Sequence, residues 1–232
     1  LSAPVIALPL SAQAQNVPGA IVNAQPSLNL SATGKVNVAP DQATINFAVV
    51  TEAATAQEAM QANARQMTQV IAALRRAGIG ERDVQTSGLN LSAQYDYQQN
   101  ESPKLRGYQA SNRVTVIIND LSKVGQTADA VVAAGVNQID GISFGLKDPS
   151  SAENQARRLA VQALQAKAAL YAEALGRPLG SIRSLTEAGG YRPEARPMYA
   201  RMVGASMDAA TPVEAGELTV EVEITGVYDL AL

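Results

Sequence analysis

The chain has 232 residues, 47% hydrophobic and 17% charged, with a formal net charge of −3. That length allows one domain with a real core or two small lobes, and the charge supplies no basic field for nucleic acid. There is no Cys and no His, which excludes a disulfide framework, zinc sites built on those ligands, and Ser-His-Asp or Cys-His nucleophiles.

Residues 1–14 read as the tail of a secretory signal peptide. An apolar run ends in Ala12-Gln13-Ala14, the small-x-small pattern that signal peptidase cuts after, so the mature chain is expected to begin at Gln15. No later apolar run approaches the roughly 20 residues that span a bilayer, and no transmembrane segment is expected in the mature chain. Residues 15–27 form an irregular arm. Leu28 to Val38 alternates as a half-buried strand with a break at Gly34, and Pro40-Asp41 turns the chain into a second alternating strand, Ala43 to Val49.

A long helix over 55–77 follows. Thr55 with Glu58 makes a capping box, Ala59, Met60, Met67, Val70, Ile71 and Leu74 make an apolar stripe, and Arg75, Arg76 and Gly78 end it. Asn63 interrupts the stripe. A buried amide bonded to strand backbone is the favoured reading and a ligand contact the alternative. A strand then runs from Val84 to Tyr97, with Leu89, Leu91, Ala93, Tyr95 and Tyr97 on one face. The polar stretch 98–106 leads into a strand at 108–118, giving a β-hairpin with a long tip.

Asp120 or Ser122 caps a shorter helix, 124–134, and 139–146 is another strand. A second long helix over 150–175 has Ala156, Leu159, Ala160, Ala163, Leu164, Ala166, Leu170, Tyr171, Ala174 and Leu175 as its apolar face, and stops at Gly176. A strand begins at Ile182. Residues 189–216 are a long low-regularity insertion, and 218–227 is a closing alternating strand. The order strand, long helix, glycine, strand occurs twice, at 43–97 and 139–189. The pattern predicts an α+β fold: a mixed, mainly antiparallel sheet covered on one face by two long helices and one shorter helix.

Glycine pairs at Gly78-Ile-Gly80 and Gly176 to Gly180 lack the order of a phosphate loop and read as helix ends. Asp83, Asp96 and Glu101 do not converge by spacing and read as solvated loop charges rather than an acid–base pair. Lys35, Lys104, Lys123, Lys147 and Lys167 are scattered, giving a Ser–Lys dyad no support. No catalytic residue, cofactor or metal is assigned.

Several segments together resemble the SIMPL-domain family. They are Thr33-Gly34 with Val38-Ala39-Pro40-Asp41-Gln42-Ala43, Gly78-Ile79 with Asp83-Val84-Gln85-Thr86, Gly107-Tyr108-Gln109-Ala110, Val136 to Phe144, and Ala174-Leu175-Gly176. The resemblance covers residues 28 to 230. It implies a periplasmic or surface-associated protein of Gram-negative bacteria, akin to immunogenic antigens, to proteins linked with oxidative-stress tolerance, and to a relative that forms a large ring-like, channel-like oligomer. It brings no family active site. A role for Met oxidation in such tolerance finds no enrichment here, with Met 5 in the whole chain.

Tyr, Met and Arg are enriched at protein interfaces. They cluster at Tyr95, Tyr97 and Tyr108 around the hairpin tip and at Tyr191, Arg192, Arg196, Met198, Tyr199, Arg201 and Met202 in the second insertion. These residues are the candidate subunit contacts, the alternative being a mobile loop of accidental composition. The function expected is a non-enzymatic exported envelope protein that forms a homo-oligomer, with a scaffolding or stress-protective role and an envelope protein as a further partner. The alternative is a protein- or peptide-binding module acting through its hairpin loops. An enzyme would have to work with carboxylates, Tyr or Lys alone.

Overall fold

The strands divide between two four-stranded sheets, each with its own helical layer. The computed structural model describes residues 26–188, the backbone of 194–196, and residues 211–231. The proposed leader, the arm up to residue 25, and Tyr191, Arg192, Met198, Tyr199, Arg201 and Met202 lie outside the described residues.

The first sheet is built from β2 (Gln42–Ala53), α1 (Ala56–Arg76), β3 (Val84–Asp96), β4 (Lys104–Ile118), α2 (Val124–Ala133) and β5 (Gln138–Gly145), in the spatial order β3-β4-β2-β5. All its pairings are antiparallel. β4 lies between β2 and β3, so this unit is a split βαβ followed by its mirror connection through α2. Alternation aims Ile45, Phe47 and Val49 of β2 and Val114, Val116 and Ile118 of β4 at the helices, where they meet Met67, Val70 and Leu74 of α1 and Val124 and Val131 of α2. The opposite face is polar. There Arg113 Nε donates to Asp140 Oδ2 at 2.7 Å, and Thr115 Oγ1 to Asn46 Oδ1 at 2.8 Å.

α1 forms as its residues dictate. Thr55 Oγ1 accepts from Glu58 N, and the Glu58 carboxylate accepts from Thr55 N, closing the capping box. Asn63 is the buried amide: its Nδ2 donates to Val49 O at 2.8 Å and Ala110 O at 3.1 Å, on two adjacent strands. Asn137 acts similarly at the end of β5. Its side-chain amide exchanges two hydrogen bonds with the backbone of Val50 and prolongs the ladder by one step.

The second sheet contains β1 (Ser27–Val38), α3 (Ser150–Ala174), β6 (Leu179–Ala188), β7 (Glu194–Arg196) and β8 (Glu217–Leu230), with β8 between β1 and β6. β1 and β8 pair in unbroken antiparallel register from Ser27↔Asp229 to Val38↔Leu218. The expected break at Gly34 is absent, because that glycine serves packing instead. A Cβ on Gly34 would lie 2.0 Å from the Ala156 carbonyl oxygen, so the strand and helix backbones nearly touch.

This close approach corrects the expected helix face. Ala152, Ala156, Ala160, Leu164, Ala168 and Ala172 are the buried residues of α3, whereas Leu159, Leu170, Tyr171 and Leu175 are exposed. Beside Gly34 the gap admits only Ala156 and Ala160, while Leu164 reaches the sheet further along, over Gly226.

The repeated element order is present, but its two copies are used differently. β2-α1-β3 stays within one sheet, while β5-α3-β6 carries the chain from the first sheet to the second. The helices therefore do not share one sheet face. Asp41 ties two of the connections between the halves together: its N–H donates to Gly145 O at 3.1 Å, and its carboxylate accepts from Lys147 N at 2.7 Å.

Candidate interaction surface

β3 is an outer strand. β4 occupies one of its edges, and the other edge has no strand partner among the described residues. Edge strands usually carry charges or Pro that discourage further pairing. From Val84 to Tyr95 this strand has neither. Register shifts fall at Thr86/Gly88 and Gln94/Tyr95, leaving a regular stretch between them.

The side chains add to the exposed edge. Leu89 lies opposite Asn112 and Leu91 opposite the buried Ala110, so both point to the helix side of the sheet. α1 packs over β2 and β4 but scarcely reaches β3. Leu89 is 58% exposed, and Leu91, Tyr95 and Leu105 are also open to solvent. Tyr95 pairs with Leu105, and Tyr97 at the tip is 79% exposed. An apolar strip thus runs along the hairpin beside an unpaired backbone edge. The hairpin strand β4 begins at Lys104, so the tip is shorter than the expected 98–106, and Lys104 Nζ meets Glu101 Oε2 at 2.5 Å.

The candidate contact residues divide accordingly. Tyr95 and Tyr97 belong to this strip. Tyr108, opposite Ala93 in the tip half of the hairpin, is half-buried beside Glu52 and Arg106, whose Nη2 lies 3.2 Å from Glu52 Oε2. Arg196 lies on β7, opposite Glu217. Leu89, Leu91 and Leu105 were not singled out as contact residues. The available signal was the alternating, uncharged stretch after Asp83. A second exposed apolar group, Leu179, Ile182 and Leu185, lies on the outer strand β6.

The ionisable groups with displaced pKa values serve turns and ion pairs. The Ser122 hydroxyl holds Asp120 below the usual carboxylate range, Ser150 does the same for Asp148, and Thr211 for Asp129. Gln138, aided by Arg113, lowers Asp140, and Glu187 raises Arg157. A groove of about 470 Å³ between α1 and α2 is lined mainly by alanines, with Arg76 and Gln126 at its rim. Such a lining offers no convergent acid and base. No group of three acidic residues able to hold a metal occurs among the described residues, and no described helix is long and apolar enough to cross a membrane.

Residues 28–228 match the model of the SIMPL family, described as a protein of unknown function (DUF541). The chain belongs to the SIMPL family. It is 35% identical over 204 residues to the 26 kDa periplasmic immunogenic protein of Brucella melitensis, covering 85% of this chain and 82% of that one. It is 31% identical over 209 residues to the Escherichia coli K12 protein named Uncharacterized protein YggE, covering 90% and 80% respectively. The YggE protein of Edwardsiella ictaluri is 28% identical over 199 residues. The periplasmic location read from the sequence agrees with the Brucella relative, and none of these names describes an enzyme.

Proposed function

We propose that this SIMPL protein is a non-enzymatic envelope protein that is exported, loses its leader, and self-assembles in the periplasm, where it has a scaffolding or stress-protective role. The observation that carries this reading is the β3 edge, uncharged from Val84 to Tyr95 and flanked by exposed Leu89, Leu91 and Tyr95. Burying such a strip against another strand satisfies backbone donors and acceptors and removes apolar area from water together. β6 is a second outer strand, its far edge without a strand partner among the described residues, and it carries exposed Leu179, Ile182 and Leu185, so one copy has two surfaces through which to associate. A large, ring-like or channel-like particle is the form the family resemblance favours.

The test is the mass of residues 15–232 in solution, measured by light scattering at micromolar concentration. The wild type is expected to run well above monomer mass. Leu91→Lys places a charge on the strip and is expected to lower the mass with an unchanged circular dichroism spectrum. A wild-type monomer would overturn the assembly. If a monomeric protein retains another envelope protein on the same edge, and Leu91→Lys releases it, the binding-module reading takes its place, since an exposed edge accepts any extended peptide.

A further inference from the structure

The link between β7 and β8 is longer in sequence than their paired ends require. Arg196, the last residue of β7, pairs with Glu217, the first of β8. Strand ends so placed can be closed by a turn of about two residues. Here residues 197–216 intervene, and their C-terminal part reaches the other half of the molecule. Thr211 N donates to Asp129 Oδ2 at 3.0 Å and Thr211 Oγ1 to Asp129 Oδ1 at 2.6 Å, both on α2. Gly125, one turn earlier on α2, leaves the space: a Cβ there would lie 2.2 Å from Thr211 O. Val213 then packs against the first core, beside which the chain returns to the second sheet.

We propose that residues 211–213 are a latch that clips the second sheet, through β8, onto helix α2 of the first half. The other two connections between the halves, at 39–41 and 146–149, are already bonded to each other through Asp41. They form one joint. The latch supplies a second attachment, made by the chain leading into β8 rather than by β1 or α3, and two attachments through different segments resist rotation better than one. The notch is specific on two counts. The carboxylate of Asp129 receives both the N–H and the hydroxyl of one residue, and a glycine in a helix, where Ala is the better helix former, is retained where the crossing backbone needs the room. The released state leaves the joint at Asp41 intact, so the halves stay folded but move independently. This inference does not depend on self-assembly, because the contact lies within one chain.

The test uses Gly125→Ala and, separately, Thr211→Ala in the mature chain, read by hydrogen exchange and calorimetry. Gly125→Ala favours helix α2 locally while closing the notch, so it separates the latch from mere loss of helix. The expected result is at least a tenfold faster exchange of the residue 211 amide, the N–H held by Asp129, in both variants, with α2 protection retained in Gly125→Ala. A single calorimetric transition is expected to split or broaden. Unchanged exchange of the residue 211 amide in both variants would overturn the latch, as would faster exchange spread evenly over the whole chain. If Gly125→Ala fails to fold, Thr211→Ala decides the matter alone, since it removes a donor without adding an atom to the notch.

Discussion

Asn63 donates from one side-chain nitrogen to carbonyls on β2 and β4, so it pins α1 to two strands at a single point. Removing it leaves two carbonyls beneath the helix without this donor. Asn63→Leu is expected to lower stability by about 1–3 kcal/mol in urea melts, because a buried unmade hydrogen bond costs more than a made one contributes. Loss of a few tenths or less would show that the strand ladder alone satisfies those carbonyls. Thr127 presents the opposite case. It is 1% exposed, and its Oγ1 has no partner among the described residues. Thr127→Val keeps the shape and discards the unpaired hydroxyl, so the variant is expected to be as stable as the wild type or more so. A clear destabilisation in the same melts would mean that the hydroxyl is bonded in solution.

At the scale of elements, several turns and helix starts rest on exposed carboxylates. Asp120 and Asp148 each accept from a serine two residues on, at the entry to the segments holding α2 and α3. Asp129 and Asp140 hold the latch and the β5 bulge. All four have pKa values lowered by these partners from the ordinary 3.8. A lowered native pKa means that the carboxylate stabilises the fold fully above its unfolded value, and that this contribution fades as pH falls through the native value. The urea midpoint is therefore expected to fall as pH is lowered from about 5 to about 3. Asp148→Asn is expected to reduce that fall, because the amide cannot titrate. An identical acid response in Asp148→Asn would remove this residue from the explanation.

Across the whole molecule, the two cores share no buried residue. Leu74 of α1 is fully buried in the first and Leu164 of α3 is 1% exposed in the second. Truncating either to Ala is expected to cost about 2–5 kcal/mol. The double variant should show the sum to within about 0.5 kcal/mol, since independent sites add. A larger deviation in denaturant melts would show that the two truncations disturb a common set of contacts. A cost below about 1 kcal/mol for either single variant would mean that the site collapses around the missing atoms.

The sequence by itself determined the elements, their order, their caps and the family. Period-2 and period-3.6 patterns, Thr55 with Glu58, and the glycines after the helices are local signals, and local physics reads them directly. The buried role of Asn63 followed from its place on an apolar stripe. Only the tertiary structure decided how the strands divide into two sheets, because each strand carries the same alternation whichever neighbours it joins. Tertiary structure also decided which face of α3 goes inward. Leu159, Leu170 and Leu175 look like core until Gly34 brings β1 against the Ala156 backbone, which turns the face of Ala156, Ala160 and Leu164 inward and leaves those three outside. The exposed strip on β3 was hidden for a related reason. Leu89 and Leu91 alternate like core residues, and nothing local says that α1 stops short of covering them. The latch was hidden as well, since Gly125, Asp129 and Thr211 have meaning only once a distant loop crosses α2.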